Sequence, residues 1–212
     1  MYILNSQISF PPVQQASPDG LLCIGGDLSP QRLLHAYKSG IFPWYNDGDP
    51  ILWWAPEQRM VVFPSNYTVP KKVRNVLNRK LYSVTFNQEF EKVIENCRFT
   101  IRNGNADTWL TDEMHAAYLQ LYHMGVAKSV EVWNGEELVG GLYGLELNGV
   151  FCGESMFSKQ SNASKYAFVA LVEKLAHENF RLLDCQLYND YLYQLGAREI
   201  PREEFMKVLR SG

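Results

Sequence analysis

Apolar positions in the middle of the chain recur with the spacing of α-helices. In one segment Val93 and Ile94 follow Phe90 by three and four residues, so all three lie on one face of a helix. Another segment begins after Thr111, a residue type that caps helix N-termini. The pattern predicts helices near residues 70–80, 87–97 and 112–124.

Beyond these helices the pattern changes to apolar runs separated by Asn-Gly pairs. Asn-Gly between two apolar runs is the strongest short signal for a β-hairpin. The pairs lie at 134–135 and 148–149, and they predict antiparallel strands over 129–133, 138–147 and 150–157. A further helix over about 163–178 and a strand ending at residue 186 follow this sheet.

The second Asn-Gly loop also predicts a register. If it is a two-residue loop, Glu154 pairs with Tyr143, whereas Phe151 shares the opposite face with Leu142. Phe151 and Glu154 then line one site only if a β-bulge or a turn interrupts the strand near Gly153, which a glycine permits.

The first sixty residues differ in composition from the rest. They are rich in proline, glycine and tryptophan, which predicts short strands and turns. One helix is clear, because Ser29 suits the N-cap, Pro30 the first helical position and Gly40 the stop. We therefore predict a small N-terminal domain over residues 1–62 and a larger domain over 63–212.

Two polar residues at the end of the last predicted strand are the best candidates for chemistry. Strand alternation places Asp184 and Gln186 on one face and Cys185 on the other. A carboxylate beside a carboxamide suits proton transfer and hydrogen bonding at a polar carbonyl. A hydrogen-bonded strand end is the alternative interpretation. If Asp184 faces a cavity, its replacement by alanine is expected to spare folding.

Other kinds of active site fit the sequence less well. The four histidines lie in helical patterns remote from the polar motifs, so a Ser-His or Cys-His nucleophile is poorly supported. No spacing typical of a metal site occurs, and no metal is predicted. The Gly25-Gly26 and Gly140-Gly141 pairs lack the pattern of a phosphate loop and indicate tight turns or close strand packing.

Composition sets outer bounds on the function. With 212 residues, 46% of them apolar, the chain can bury a core without disulfides or metals. The net charge of −3 means that any contact with nucleic acid needs a local basic patch. Four scattered cysteines without Cys-x-x-Cys spacing indicate a reducing cytoplasm. No signal peptide or membrane span is predicted.

Motifs along nearly the whole chain, about residues 10 to 206, occur in a recognisable order. The motifs are Gly-Gly-Asp-Leu-Ser-Pro at 25–30, Gly-Ile-Phe-Pro-Trp at 40–44, Ile-Leu-Trp-Trp-Ala-Pro at 51–56, Thr-Trp at 108–109, Leu-Val-Gly-Gly-Leu-Tyr-Gly at 138–144, Gly-Glu-Ser-Met-Phe-Ser at 153–158, Asn-Ala-Ser-Lys at 162–165, Asp-Cys-Gln at 184–186 and Leu-Gly-Ala-Arg-Glu-Ile-Pro at 195–201. Together they closely resemble the leucyl/phenylalanyl-tRNA-protein transferase family.

The resemblance implies a fold and a reaction. The fold is α+β, with a GNAT-like (Fem-type) acyltransferase domain after a small N-terminal α/β domain. The reaction moves leucine or phenylalanine from leucyl-tRNA or phenylalanyl-tRNA to the α-amino group of proteins with N-terminal Arg or Lys, which marks them for N-degron proteolysis. Methionine stays open as a donor. No cofactor is implied, and the segment 158–162 lacks the glycine-rich loop expected of a coenzyme A enzyme.

The family pattern also assigns roles to three residues. Asp184 orients or polarises the attacking amine, and Gln186 hydrogen-bonds the reacting carbonyl or amine. Glu154 is a third catalytic candidate, which either bonds to Gln186 or faces the basic acceptor side chain. The residues alone leave open whether Asp184 takes the proton, and they leave Glu154 the alternative of a cross-strand partner of Tyr143.

Two further sets of residues are expected to bind the donor. An apolar cavity selects the aminoacyl side chain, and a basic helix face binds tRNA phosphates, although such a face is commonly only solvated. The candidate cavity residues are Trp53, Trp54, Trp109, Leu142, Phe151, Met156 and Leu183, and the candidate tRNA-binding residues are Lys71, Lys72, Arg74, Arg79 and Lys80.

Two rival functions remain open from the sequence. One is a Fem-type transferase that adds amino acids to a cell-wall precursor, which differs in its acceptor, a lipid-linked lysine. The other is a non-enzymatic module that binds tRNA or N-degrons, which would keep binding after loss of Asp184.

Overall fold

The order of helices and strands agrees with the pattern of the sequence. The computed structural model describes residues 2–99 and 110–211. Its helices are α1 (Pro30–Lys38), α2 (Lys71–Leu77), α3 (Phe90–Arg98), α4 (Asp112–His123), α5 (Ala163–His177), α6 (Asp190–Gln194) and α7 (Arg202–Arg210). Its strands are β1 (Tyr2–Leu4), β2 (Leu21–Gly25), β3 (Phe42–Pro43), β4 (Leu52–Trp54), β5 (Gln58–Val62), β6 (Ser83–Phe86), β7 (Ala127–Asn134), β8 (Glu137–Leu147), β9 (Val150–Ser158), β10 (Leu182–Gln186) and β11 (Arg198–Pro201).

Within the described residues, the strands form two sheets. The smaller has the order β1-β2-β4-β3 and the larger the order β11-β5-β10-β9-β8-β7-β6. In the larger sheet β6 to β9 form an antiparallel meander, and β10 then pairs with β9 in parallel. A parallel pair needs a crossover, which α5 supplies. The α+β class and the predicted order of two helices, sheet, helix and strand are confirmed.

Helices cover both faces of the larger sheet. Helix α5 packs on β7, β8 and β9, whereas α3 packs on the same three strands. Side chains of β8 alternate between the two cores: Leu142 belongs to the core under α5, and Tyr143 to the core that also contains α1, α4 and α7. No helix among residues 2–99 and 110–211 has both the length and the apolar character needed to cross a bilayer.

Strand β5 lies on the unexpected side of the predicted domain boundary. The boundary at residue 62 assigns β5 to the N-terminal domain, but β5 pairs with β10 and β11 in the larger sheet. These pairings join residues more than a hundred positions apart, so local patterns carry no signal for them. The change from the smaller to the larger sheet therefore falls between β4 and β5.

Helices α2 and α3 differ from the predicted bounds. Helix α2 ends at Leu77, so Arg79 and Lys80 lie beyond the helix that was predicted over 70–80. Helix α3 begins at Phe90 rather than near residue 87. The buried Glu131 carboxylate accepts hydrogen bonds from the backbone N–H groups of Gln88 and Glu89, which satisfies donors before the first turn.

The predicted register of the β8–β9 hairpin is right at the loop and wrong further along. Leu147 pairs with Val150 as expected, but Tyr143 pairs with Ser155 and Gly144 with Gly153. Glu154 is the extra residue of a β-bulge, so the expected pairing of Glu154 with Tyr143 does not form. The bulge occurs near Gly153, where the sequence indicated that one would be needed.

The glycines of β8 allow close packing rather than phosphate binding. A Cβ at Gly140 would lie 2.6 Å from the Ala163 side chain of α5, and one at Gly144 would lie 2.2 Å from the Cys152 carbonyl oxygen beside the bulge. Both distances are shorter than van der Waals contact. A Cβ at Gly141 would lie 2.7 Å from the Val130 carbonyl oxygen of β7, which confirms the interpretation of Gly140-Gly141 as close strand packing.

We expect Gly144→Ala to lower the free energy of unfolding by about 2–4 kcal/mol, because the added methyl group overlaps backbone that cannot move freely. The matched control is Gly153→Ala on the partner strand, where the nearest atom would be 3.5 Å away. This control should cost less than about 1 kcal/mol. Chemical denaturation of both variants measures the difference, and equal losses would contradict the steric argument.

Candidate active site

A cavity of about 310 Å³ lies between α5, α6 and the strands β8 to β10. Its wall is largely apolar, and polar groups converge at the end formed by the bulge of β9 and the end of β10. The apolar residues include Leu142, Met156, Phe168, Leu171, Leu183 and Leu192, and the polar ones include Glu154, Gln186, Asn189 and Tyr191.

The structure brings together some of the predicted cavity residues and separates others. Leu142, Met156 and Leu183 line the cavity. Phe151 does not, because it precedes the bulge and packs in the core with α5.

The two tryptophans of β4 are also placed elsewhere. Trp53 is fully buried, and its indole donates to the Gly25 carbonyl within the smaller sheet. Trp54 donates to the Trp44 carbonyl of the neighbouring segment. Both therefore stabilise the N-terminal sheet rather than line this cavity. Trp109 lies outside the described residues.

Sequence reasoning missed the cavity residues on α5 and α6. Phe168 and Leu171 come from α5, and Tyr191 and Leu192 from α6. Helix α5 is apolar on most of its circumference, so its periodicity does not reveal which residues face a cavity. Helix α6 has five residues, too few for a periodic signal.

Asp184 and Gln186 do not share a face as alternation predicted. The pairing of β10 with β5 shifts register between them, and Gln186 adopts a left-handed backbone conformation with φ +65°. As a result Cys185 and Gln186 line the cavity, whereas Asp184 does not and is fully buried. The backbone N–H of Gln186 donates to Asp184 Oδ1 at 2.9 Å, so Asp184 holds this irregular strand end.

Asp184 forms a buried ion pair with Arg59 of β5. The guanidinium donates from Nε to Oδ1 at 2.8 Å and from Nη2 to Oδ2 at 2.7 Å. Arg59 lies between the rings of Phe42 and Phe205, with its guanidinium carbon 4.7 and 4.6 Å from their centroids. Sequence reasoning missed Arg59. The signal that could have found it is a lone arginine among the apolar residues of β5, because an arginine is rarely buried without a partner.

Glu154 stands at the centre of a hydrogen-bond network at the polar end of the cavity. Gln186 Nε2 donates to Glu154 Oε1 at 3.0 Å, and the Tyr118 hydroxyl donates to Oε2 at 2.7 Å. The Tyr37 and Tyr118 hydroxyls lie 2.6 Å apart. The network thus connects the cavity with α4 and with α1 of the N-terminal part.

Burial raises the pKa of Glu154 to about 8, and the negative charge of Asp184 adds to the rise. Hydrogen bonds from Tyr118 and Tyr37 and the positive charge of Arg59 act in the opposite direction. The carboxyl group is therefore able to exchange a proton near neutral pH. A group with this property beside a cavity is a candidate for proton transfer.

The predicted basic residues form an exposed surface on the side of α5. Lys71, Lys72 and Arg74 are exposed on α2, and Arg79 and Lys80 follow in the exposed turn after it. Helix α2 packs on α5, and α5 supplies cavity residues on its sheet side. Helix α5 therefore contacts both the helix that carries these cations and the cavity.

Comparison with known proteins agrees with the motifs of the sequence. Residues 61–210 match the family model described as leucyl/phenylalanyl-tRNA protein transferase, and residues 26–57 match the model of its N-terminal domain. A leucyl/phenylalanyl-tRNA--protein transferase of Flavobacterium johnsoniae is 57% identical over 211 residues, which cover 100% of both chains. One of Christiangramia forsetii is 56% identical and covers 99% of this chain and 100% of its own.

Solved structures resemble the chain more distantly. L-PGS from Bacillus licheniformis is 14% identical, covers 80% of this chain and 54% of its own, and superposes with a TM-score of 0.45. The C-terminal domain of a putative lysylphosphatidylglycerol synthetase from Agrobacterium fabrum is 11% identical over 81% of this chain and 56% of its own, with the same TM-score. A likeness this weak gives no ground for a functional conclusion. The family models and the full-length relatives show that the chain belongs to the leucyl/phenylalanyl-tRNA-protein transferase family, a family of aminoacyltransferases.

Proposed function

We propose that the protein transfers leucine or phenylalanine from aminoacyl-tRNA to the α-amino group of proteins that begin with Arg or Lys, and thereby marks them for N-degron proteolysis in the cytoplasm. Family membership supports the donor and the reaction type. The observation that carries the proposal is the apolar cavity with the Glu154 and Gln186 side chains hydrogen-bonded at its polar end.

The cavity suits the side chain of the transferred amino acid. Its volume of about 310 Å³ is at the lower end of the range for small-molecule sites. Leucyl and phenylalanyl groups gain about 0.8 kcal/mol per buried methylene in such a cavity. Leu142, Met156 and Leu183 are part of this proposal, and Phe168 and Leu171 join them.

The reaction forms an amide bond and breaks the ester bond to the tRNA ribose. The acceptor nitrogen attacks the ester carbonyl, loses a proton, and the ribose oxygen leaves with a proton. A terminal α-amine has an unperturbed pKa of about 7.7–8.0, close to that of Glu154, so a proton passes between them without a large free-energy difference. We therefore assign the proton acceptor role to Glu154 and leave to Gln186 the hydrogen bond to the reacting amine or carbonyl.

Asp184 takes a positioning role in this mechanism. It contacts Arg59 and the backbone of Gln186 rather than the cavity, so it acts on the reactants through Gln186. Arg59 and Asp184 together fix the conformation that turns Gln186 toward Glu154. Positioning of this kind supplies a large share of the rate of two-substrate reactions.

The exposed cations on and after α2 are proposed to contact the tRNA backbone. Helix α2 packs on α5, the helix that forms one wall of the cavity. The exposed cations are Lys71, Lys72 and Arg74 on α2 and Arg79 and Lys80 in the turn after it. Phosphate contacts of this type release counterions, so donor binding weakens steeply with salt.

The primary test measures transfer of labelled leucine from leucyl-tRNA to peptides that begin with Arg, Lys or Ala. We expect transfer to the Arg and Lys peptides only, and none after RNase treatment of the donor. A folded protein that transfers to none of them contradicts the proposal. Transfer to a lipid-linked lysine peptide instead would favour the Fem-type reaction.

We expect Glu154→Gln to lower kcat/KM about 100-fold, because the variant cannot accept the proton. Below pH 8 the wild-type reaction needs both a neutral amine and an ionised Glu154, so a plot of log(kcat/KM) against pH should rise with a slope approaching two. In the variant only the amine titrates, and the slope should be one. The exposed Glu146→Gln is the control and should keep the wild-type profile. An unchanged slope in Glu154→Gln would exclude Glu154 as the proton acceptor.

The same substitution should change the pH dependence of stability. The pKa of Glu154 is raised in the folded state from 4.5 to about 8, so its contribution to stability is present at low pH and is lost as pH rises through this interval. Denaturation experiments between pH 5 and pH 8 should show that the free energy of unfolding falls with pH in the wild type and that this fall is absent in Glu154→Gln.

Asp184→Asn should lower the free energy of unfolding by about 3–5 kcal/mol, because it leaves the Arg59 guanidinium buried without its counter-charge. This outcome differs from the sequence-based expectation that loss of Asp184 spares folding. The exposed ion pair of Lys174 and Glu178 gives the control: Glu178→Gln should cost about 0.5 kcal/mol or less. The double variant Arg59→Met with Asp184→Leu should regain stability but not activity.

A further inference from the structure

Two buried tyrosines hold the Glu154 carboxyl group from the core that contains α1 and α4. Tyr118 of α4 is 0% exposed, and Tyr37 of α1 is 2% exposed. The Tyr118 hydroxyl donates to Glu154 Oε2 at 2.7 Å, and the Tyr37 and Tyr118 hydroxyls lie 2.6 Å apart. Neither tyrosine lines the cavity, so both act on the reactants only through Glu154.

Both hydroxyls keep their protons over the whole pH range in which an acceptor amine becomes neutral. Burial raises the pKa of Tyr37 and of Tyr118 well above the usual value for a tyrosine, and the negative charge of Glu154 adds to the rise. Each tyrosine therefore has one proton to donate. Because Tyr118 gives its proton to Glu154, the bond between the two hydroxyls uses the proton of Tyr37. Hydrogen bonds arranged in series in this way polarise and strengthen one another.

The tyrosines stabilise the ionised carboxylate of Glu154 more than the neutral acid. A hydrogen bond to an ionised acceptor is roughly twice as strong as one between neutral groups. The hydrogen bonds from Tyr118 and Tyr37 accordingly lower the pKa of Glu154, against the burial that raises it. Without these bonds Glu154 would stay protonated to a higher pH, and a smaller fraction of the protein could accept a proton at neutral pH.

The two carboxyl oxygens of Glu154 have different surroundings. Oε2 is held in the core by Tyr118, whereas Oε1 accepts from Gln186 Nε2 at 3.0 Å at the polar end of the cavity. A carboxylate oxygen has two lone pairs, so Oε1 has one left for the proton of the acceptor amine. The hydrogen bond on Oε2 thus determines which oxygen meets the reactants.

The other charged or titratable neighbours of Glu154 do not offer a comparable hydrogen bond. Asp184 and Arg59 form a buried ion pair with each other, and burial raises the pKa of the Cys152 thiol well above its usual value, so the thiol stays neutral. The tyrosine hydroxyls can be removed without leaving a buried charge unpaired. In the described ranges, the titratable and charged groups that face Glu154 or its two tyrosines are Tyr37 of α1, Arg59 of β5, Tyr118 of α4, Tyr143 of β8, Cys152 of β9 and Asp184 of β10.

We propose that Tyr118 and Tyr37 are positioning residues for the transfer: they fix the Glu154 carboxylate with Oε1 toward the reactants and extend its capacity to accept the amine proton down to neutral pH. This inference rests on the transfer reaction proposed above, with Glu154 as proton acceptor. Oε1 takes the proton that the acceptor nitrogen loses as the bond between nitrogen and carbonyl carbon forms. Helix α1 packs on α4, so the N-terminal part contributes to the proton transfer through this contact.

The test measures two quantities in the wild type, Tyr118→Phe and Tyr37→Phe between pH 6 and pH 9.5. One is kcat/KM for an Arg peptide with leucyl-tRNA as donor, from initial rates that precede hydrolysis of the aminoacyl ester at high pH. The other is the titration of the Glu154 carboxyl group by infrared difference spectroscopy, which follows the C=O stretch of the protonated form. The Glu154→Gln protein identifies this band by its absence. The titration does not depend on any transfer reaction.

We expect Tyr118→Phe to move the titration of Glu154 up by about one pH unit, because it removes one hydrogen bond to the ionised form. At pH 7 kcat/KM should fall about tenfold, and at pH 9.5 it should return to within about twofold of the wild type, because Glu154 is then mostly ionised in both proteins. Tyr37→Phe should move the titration by about half a unit, since its hydrogen bond acts through Tyr118. A purely structural role would lower kcat/KM by the same factor at every pH.

Tyr45→Phe is the matched control. Tyr45 is 6% exposed and belongs to the same core as Tyr37 and Tyr118, but its hydroxyl makes no hydrogen bond with Glu154. This variant loses the same buried hydroxyl group and should keep the wild-type titration and pH profile. Thermal unfolding identifies any variant that fails to fold, and Tyr37→Phe tests the inference by itself if Tyr118→Phe does not fold.

Each outcome separates this inference from the proposed function. Transfer by the wild type with an unchanged Glu154 titration in both tyrosine variants overturns the role of the tyrosines and leaves the transfer reaction in place. A loss of kcat/KM that is equal at every pH, or a shift of the same size in Tyr45→Phe, also overturns it. A wild type that transfers to no peptide overturns both the reaction and the inference.

Discussion

The buried ion pair between Arg59 and Asp184 is the interaction on which the rest of the site depends. It joins β5 to β10, two strands that are remote in sequence and adjacent in the larger sheet. Phe42 from β3 and Phe205 from α7 enclose the guanidinium, so the N-terminal part and the C-terminal helix both pack on it. The pair is bidentate and desolvated. Either charge alone would be strongly unfavourable there, which couples the assembly of these elements to one another.

Two departures from regular strand geometry create the site next to this pair. The bulge in β9 displaces Glu154, and the left-handed conformation of Gln186 ends β10. Regular alternation would turn Gln186 to the same side as Asp184, away from the cavity. Instead the two irregularities bring the Glu154 carboxyl and the Gln186 amide into contact at 3.0 Å. A further register shift in the larger sheet, between Val132 and Trp133, involves residues that do not line the cavity. Irregular backbone at the other two positions places the side chains that meet the proposed reactants.

The sequence predicts what depends on neighbouring residues and fails where distant segments meet. Helix caps, Asn-Gly loops and periodicity give α1, α4, α5 and the β7–β9 meander close to their observed bounds. Gly153 marks the position of the bulge but not its register. Strand β5 pairs with segments more than a hundred residues away, and a single sequence carries no local signal for such a pairing. This pairing determines the partner of β5, the burial of Arg59 and the side of the sheet on which Asp184 lies. The same reason explains why Trp53 and Trp54, found in a family motif, stabilise the smaller sheet instead.

The ion pair also sets the electrostatic conditions under which Glu154 can exchange a proton. An unpaired Arg59 would lower the pKa of Glu154, and an unpaired Asp184 would raise it, whereas the pair acts on Glu154 as a nearly neutral dipole. Burial is then the largest cause of the rise in the pKa of Glu154 to about 8, and the charge of Asp184 adds to it. That value approaches the pKa of a free α-amine, about 7.7–8.0. One buried pair therefore supports the geometry of Gln186 and leaves the proton affinity of Glu154 matched to the group that must lose its proton.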